Sequence, residues 1–313
     1  MATRMTLQSA YGETLRELGG HYSNLVVLDA DLSKITQTVH FARSYPDRFL
    51  NVGIAEQNLM AIAAGLATTG MIPIAHTYAC FASMRACEQV RTFIAYPGLN
   101  VKIVTTSAGI EEGWSGVTHQ AIEDMAIMRT IPNMTVVAPS DPFLTRRAAE
   151  AMVSHRGPVY MRLGRNPFPV IYQDGVSFTL GKAIRIREGE DVTLIACGIM
   201  VEKALRAAEM LQAEGIRARV LDMHTIKPLD EEAVLSAARE TGALVTAEDH
   251  LVAGGLGGAV AELLASRCPT PLERIGLQDT FGETGDPEKL FEKYGMTPGD
   301  LVAAARRAIA RKG

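Results

Sequence analysis

Short apolar runs alternate with helical patterns along this chain, and that alternation limits the folds open to it. Asn24–Asp31, Phe49–Val52, Met71–Thr77, Val101–Thr105, Thr135–Ala138 and Val159–Leu163 read as strands. Leu7–Leu18, the stretch from Gly53 to Gly70, roughly Phe81–Phe93, Gln120–Arg129 and Asp141–Val153 carry helical spacing. In the helix that follows Gly53, Leu59, Ile62, Ala63 and Leu66 share one face. Strands apolar on both faces and separated by helices call for a parallel sheet covered on both sides. A second series follows, with strands at Val192–Ala196, Ala218–Asp222, Ala243–Ala247 and Leu272–Ile275. Its helices are Met200–Ala213, Asp230–Ala238, Leu256–Ala265, Pro287–Phe291 and one from Pro298. The fold class is therefore α/β, with two consecutive domains, each a mostly parallel sheet flanked by helices. We place the first domain at residues 1–170, a Pro- and Gly-containing linker at 171–190 and the second domain at 191–313.

Composition narrows the function. The 313 residues are 47% hydrophobic and 21% charged, with a formal net charge of −4, so no basic excess points to nucleic acid. The opening MATRMTLQSAYGETL lacks a signal-type apolar core, and no stretch approaches a membrane span. Cys80, Cys87, Cys197 and Cys268 form no CxxC or metal spacing. They are expected to be reduced thiols in a cytoplasmic protein.

Ligands on parallel sheets bind beyond the carboxyl ends of the strands. Asp31, Gly53, Tyr78, the Thr106–His119 loop and Arg165 all fall at such ends. Glu56 sits just past one of them, in a helical first turn among apolar neighbours. It either complements the helix dipole or is a carboxyl that, beside an apolar wall, keeps a proton and hands it on. The segment Ser107–Gln120, SAGIEEGWSGVTHQ, is long and glycine-rich, which suits a functional loop. His119 at its end can donate a hydrogen bond near neutral pH, although a lone histidine is more often structural. Tyr78 and Phe81 are equally readable as core packing or as a stacking platform. Arg165 is a surface charge or the holder of a carboxylate or phosphate.

GIAEQN at 53–58, Tyr-x-x-Phe at 78–81, GVTHQAIEDMAIMR at 116–129 and APSD at 138–141 resemble the thiamine-diphosphate-dependent transketolases. The resemblance is to their C-terminal half, the pyrimidine-binding and C-terminal domains. It continues through HTIKPLD at 224–230, EDH at 248–250 and GGLG at 254–257. It implies ketol transfer, in which a two-carbon unit passes from a ketose to an aldose while the cofactor absorbs the electrons of the breaking C–C bond. It also implies that Glu56 hydrogen-bonds the aminopyrimidine ring, with Tyr78 and Phe81 as the stacking aromatics and Asp31 near the thiazolium. His119 is then catalytic and touches substrate oxygens, while Ser107, Ser115 and Arg165 bind substrate.

The family anchors diphosphate and Mg²⁺ through a GDG segment, and the chain has none. The resemblance thus implies a partner subunit that carries the diphosphate-binding domain and the metal ligands, in a heterotetramer. Positions that bind sugar phosphate in the family align with Gln8, Ile35 and Ser107, and Ser115 stands where an aspartate is usual, beside Trp114, the only tryptophan. Only Arg165 survives as a cation. A substrate that is unphosphorylated or carries a different anion, such as a sulfo-sugar or a branched sugar phosphate, follows from this. A beta subunit of a 2-oxo-acid dehydrogenase, a deoxyxylulose-phosphate synthase and a non-catalytic paralogue are the alternatives. The THQ-x-x-ED loop speaks against the first, the single-chain build of the second against it, and Glu56 with His119 against the third.

Overall fold

The computed structural model describes residues 4–312. The first domain runs β1 (Arg4–Thr6), α1 (Leu7–His21), β2 (Leu25–Asp29), α2 (Val39–Ser44), β3 (Phe49–Asn51), α3 (Glu56–Thr68) and β4 (Ile72–Tyr78). It continues with α4 (Cys87–Gln89), β5 (Lys102–Thr106), α5 (Asp124–Thr130), β6 (Thr135–Val137), α6 (Pro142–Ser154), β7 (Val159–Arg162) and β8 (Pro167–Pro169). The second comprises β9 (Ile184–Arg187), β10 (Val192–Ala196), α7 (Met200–Ala213), β11 (Ala218–Asp222), β12 (Thr225–Lys227) and α8 (Glu231–Thr241). It ends with β13 (Leu244–Leu251), α9 (Leu256–Arg267), β14 (Leu272–Leu277), α10 (Pro287–Lys293) and α11 (Pro298–Ala310).

The larger sheet has seven strands in the order β12-β6-β7-β5-β4-β2-β3, and the smaller has five in the order β14-β13-β10-β11-β9. Each is parallel except at one edge, where β12 pairs antiparallel with β6 in the larger sheet and β9 with β11 in the smaller. β2 shows why these runs read as continuous apolar strands. Leu25 and Val27 pack into one core, while Val26 and Leu28 pack into the core on the other face. Burying each such side chain contributes about 1.5–3 kcal/mol. Helix starts follow their capping residues: Thr6 caps α1, Asp141 caps α6 ahead of Pro142, and Thr297 with Asp300 forms a capping box on α11. All four cysteines are free thiols, and no helix among the described residues is long and apolar enough to cross a membrane.

Three expected elements differ. The helix anticipated from Gln120 begins only at Asp124. The Ala121 carbonyl is taken by the Gly109 amide and by Arg162, and the Gln120 side chain donates to the Glu283 carbonyl, so tertiary partners hold this turn open. The helix expected over Phe81–Phe93 winds wider, with the Ala86 amide bonded to the Phe81 carbonyl and the Tyr96 amide to that of Arg91. Such i→i+5 turns recur at functional sites. Within the expected linker, Ile184–Arg187 forms β9, and from HTIKPLD the second domain contributes β12 to the first domain's sheet. An edge strand donated by another segment leaves no local signal, because its partner lies far away in sequence.

A buried polar seam joins the domains. Arg162 donates to the Asp124 carboxylate at 2.8 Å and to the Ala121 and Asp249 carbonyls at 3.0 and 2.7 Å. The Asp249 carboxylate accepts the amides of Ile110 and Glu111, which fixes the start of the long loop. Gly109 has a φ of +78°, and a Cβ there would lie 2.0 Å from an Asp249 oxygen, so no other residue fits. Glu248 accepts the Leu256 and Gly257 amides at the head of α9, and His250 Nε2 accepts the Ala126 amide. The EDH motif thus serves a helix end and the contact between domains.

Candidate active site

Because β7, β5, β4, β2 and β3 are parallel neighbours, Arg165, the long loop, Tyr78, Asp31 and Glu56 emerge along one rim. At about 4.8 Å per strand that rim spans about 19 Å from β3 to β7. The turn into α3 is stapled by Asn51, whose side chain accepts the Gly53 amide and donates to Asp31 at 2.9 Å. Gly53, at φ +71°, reverses the chain. Glu56 then opens α3, only 2% exposed.

Glu56 is not left against an apolar wall alone. One Arg85 nitrogen lies 2.8 Å from each of its carboxylate oxygens. The Arg85 guanidinium carbon also stands 4.0 Å from the centre of the Phe81 ring. Phe81, Tyr78 and His119 form a cluster of rings. The centroid separations are 5.8 Å for Tyr78–Phe81, 5.5 Å for Tyr78–His119 and 5.3 Å for Phe81–His119, the last two edge-on. His119 Nδ1 pairs with the Thr118 hydroxyl at 2.9 Å. The wide turn after β4 sets Phe81 and Arg85 side by side, and the bonded start of the loop returns His119 to them.

The other end of the rim carries the polar residues. Arg165 pairs with the buried Glu112 carboxylate and donates to the Ser115 hydroxyl at 3.3 Å. The second Glu112 oxygen is buried and unpartnered. Burial, followed by the Glu112 charge, raises the Tyr78 pKa, which links this pair to the ring cluster. Glu111 turns inward to accept the Arg165 amide, and burial, then the Asp249 carboxylate, push its pKa well above the ordinary value. Ser107 is fully buried with its hydroxyl unpartnered, beneath the rim rather than on it. Gln8 is buried against Thr106 and the Gly164 carbonyl, and Ile35 is 39% exposed. Asp31 is exposed beside the Asn51 turn.

The structure therefore gathers Tyr78, Phe81, His119 and Glu56 around Arg85, and Ser115 with Arg165 around Glu112. Asp31 stands apart at the end of β2. Sequence reasoning missed Arg85, Glu112 and Arg162. Arg85 had left a signal, since it follows Phe81 by four residues in a helical pattern and so shares its face. A flat nitrogenous cation fits between Phe81 and Glu56, because Arg85 is one and already lies there. A protonated aminopyrimidine presents the same chemistry. Among the described residues no group of three or more His, Cys, Asp or Glu side chains is placed to hold a metal ion.

Comparison with known proteins identifies the domains that carry this rim. Residues 3–170 match the family model for the pyrimidine-binding domain of transketolase, and residues 181–301 match that for the transketolase C-terminal domain. The chain is 48% identical to a 6-deoxy-6-sulfo-D-fructose transketolase subunit of Clostridium sp., over 98% of this chain and 95% of that one. It is 40% identical to an apulose-4-phosphate transketolase subunit of Phocaeicola vulgatus, over 99% and 100% respectively. A solved split-gene transketolase, described as an inactive β4 tetramer, superposes with a TM-score of 0.93 at 51% identity, covering 99% of this chain and all of that one.

Proposed function

The chain belongs to the transketolase family, and we propose that its rim is the half of a shared active site that holds the cofactor's aminopyrimidine ring. The bridge from Glu56 through Arg85 to Phe81 carries this reading, because it is a site already shaped for a flat cation. Thiamine diphosphate, when bound, supplies the electron sink that lets a ketose C–C bond break and a two-carbon ketol unit move to an aldose. Glu56 holds the ring nitrogen by a hydrogen bond from a carboxyl that is itself only 2% exposed. Phe81 and Tyr78 give the ring an apolar face, and His119 donates to or accepts from sugar oxygens beside it.

A second chain supplies the diphosphate and Mg²⁺ ligands. This is supported by relatives that are named as subunits and by a solved split-gene transketolase described as an inactive β4 tetramer. Exposed Ile54, Trp114 and Phe281 near the rim offer that chain an apolar landing. Two copies of each chain make the heterotetramer.

The substrate end favours a ketose whose far end is a sulfonate or a branched phosphate ester over a straight-chain terminal phosphate. Arg165 is already paired with Glu112, and Gln8, Ile35 and Ser107 bring no cation. Relatives that act on sulfofructose and apulose phosphate support the same class. Reconstituting the chain with its partner and assaying ketol transfer tests both parts. Glu56→Gln should lower kcat by about a hundredfold or more while leaving assembly intact, as expected for loss of an acid–base group. Full activity in that variant refutes the ring-binding role. A micromolar KM for xylulose 5-phosphate refutes the substrate class.

A further inference from the structure

Arg85 makes both of the contacts that the functional reading reserves for the incoming ring. One of its nitrogens bridges the two Glu56 oxygens, and its guanidinium covers Phe81. Planar and delocalised, a guanidinium stacks on an aromatic face in a way that a lysine ammonium does not. The Arg85 side chain is 46% exposed and Glu56 only 2%, so the arginine reaches in from solvent and can swing back without unfolding anything. No other side chain among the described residues is hydrogen-bonded to the Glu56 carboxylate, and a buried carboxylate without a partner is costly.

We propose that Arg85 is a placeholder for the cofactor ring. It is a positioning residue that holds Glu56 and Phe81 in the arrangement the ring uses, and it leaves when the ring arrives. The proposal rests on the function assigned above. The ring and Arg85 compete for the same place, because both bind the Glu56 carboxylate and both lie on the Phe81 face that Arg85 covers. Glu88 is exposed three residues further on and offers the displaced guanidinium a carboxylate.

The test is cofactor uptake by the assembled complex, followed by stopped-flow spectroscopy and by equilibrium titration with thiamine diphosphate and Mg²⁺. Arg85→Met keeps an apolar stem on Phe81 but removes the competing cation. Its uptake should be about tenfold to a hundredfold faster, the equivalent of one lost charge-assisted contact. Arg85→Lys, which keeps a cation without the flat fork, should fall between wild type and Arg85→Met. In the wild-type complex, the side-chain nitrogen signals of ¹⁵N-labelled arginine at position 85 should change on cofactor addition from a held guanidinium to a freely rotating one. Uptake by folded Arg85→Met that is unchanged or slower overturns the proposal, as does a nitrogen signal that stays held. Absence of uptake by the wild-type complex overturns the functional reading itself, so the two failures are distinct.

Discussion

Replacing Arg162 by methionine should destabilise the protein by about 3–5 kcal/mol, the range for breaking a buried ion pair by removing one partner. Arg162 is 7% exposed and Asp124 is fully buried. The change deletes the contact to the Asp124 carboxylate and those to two carbonyls, Ala121 and Asp249. Asp124 retains only the Tyr160 hydroxyl at 2.7 Å. Methionine fills most of the volume, so the loss is electrostatic rather than a cavity. Urea unfolding followed by circular dichroism measures the total. Hydrogen exchange over residues 107–123 should report that the loop loosens, since the Asp249 backbone is one of the groups that Arg162 holds. Adding Asp124→Asn removes the stranded charge and should recover at least half of the loss. A cost below about 1 kcal/mol, or a double variant whose cost is the sum of the singles, would refute the account.

Two further outcomes follow from the rim and the seam. Glu112→Gln frees Arg165 and should lower KM for an anionic ketose by about tenfold to a hundredfold, as one charge-assisted bond allows; steady-state kinetics against a donor without the anion checks that the gain is specific. Asp222 is pushed up by burial, then by the Asp141 charge, to a pKa of about 7, with Ser140 and Tyr172 hydrogen bonds opposing. A carboxyl raised in the folded state contributes stability at low pH that is lost as pH rises from the ordinary carboxylate range to about 7. Asp222→Asn, which still accepts from Ser140 and Tyr172, should therefore gain on wild type between pH 5 and pH 8 in thermal unfolding. A pH-independent difference would contradict the shift.

Much of the rim could be read because its residues sit where a parallel sheet must expose them. Tyr78 ends β4, Arg165 follows β7, and Glu56 opens the helix after β3. A strand-end residue needs no long-range information to be placed on the rim. The environment of those residues was harder to read. The apolar neighbours of Glu56 suggested an isolated carboxyl, but its partner Arg85 comes from a different strand–helix unit. The pairing of Arg165 with Glu112 also depends on a loop fold that local pattern does not encode.

By itself the sequence settled two α/β domains, the parallel direction of their main strands and the strand-end residues placed on the rim, because periodicity and strand ends are local properties. Only the tertiary structure decided that β12 crosses into the first sheet, that the EDH motif and Arg162 clamp the long loop, and that Glu56 already holds a cation. Each of those rests on charged or backbone groups distant in sequence that must find partners once buried, and burial is set by the whole fold.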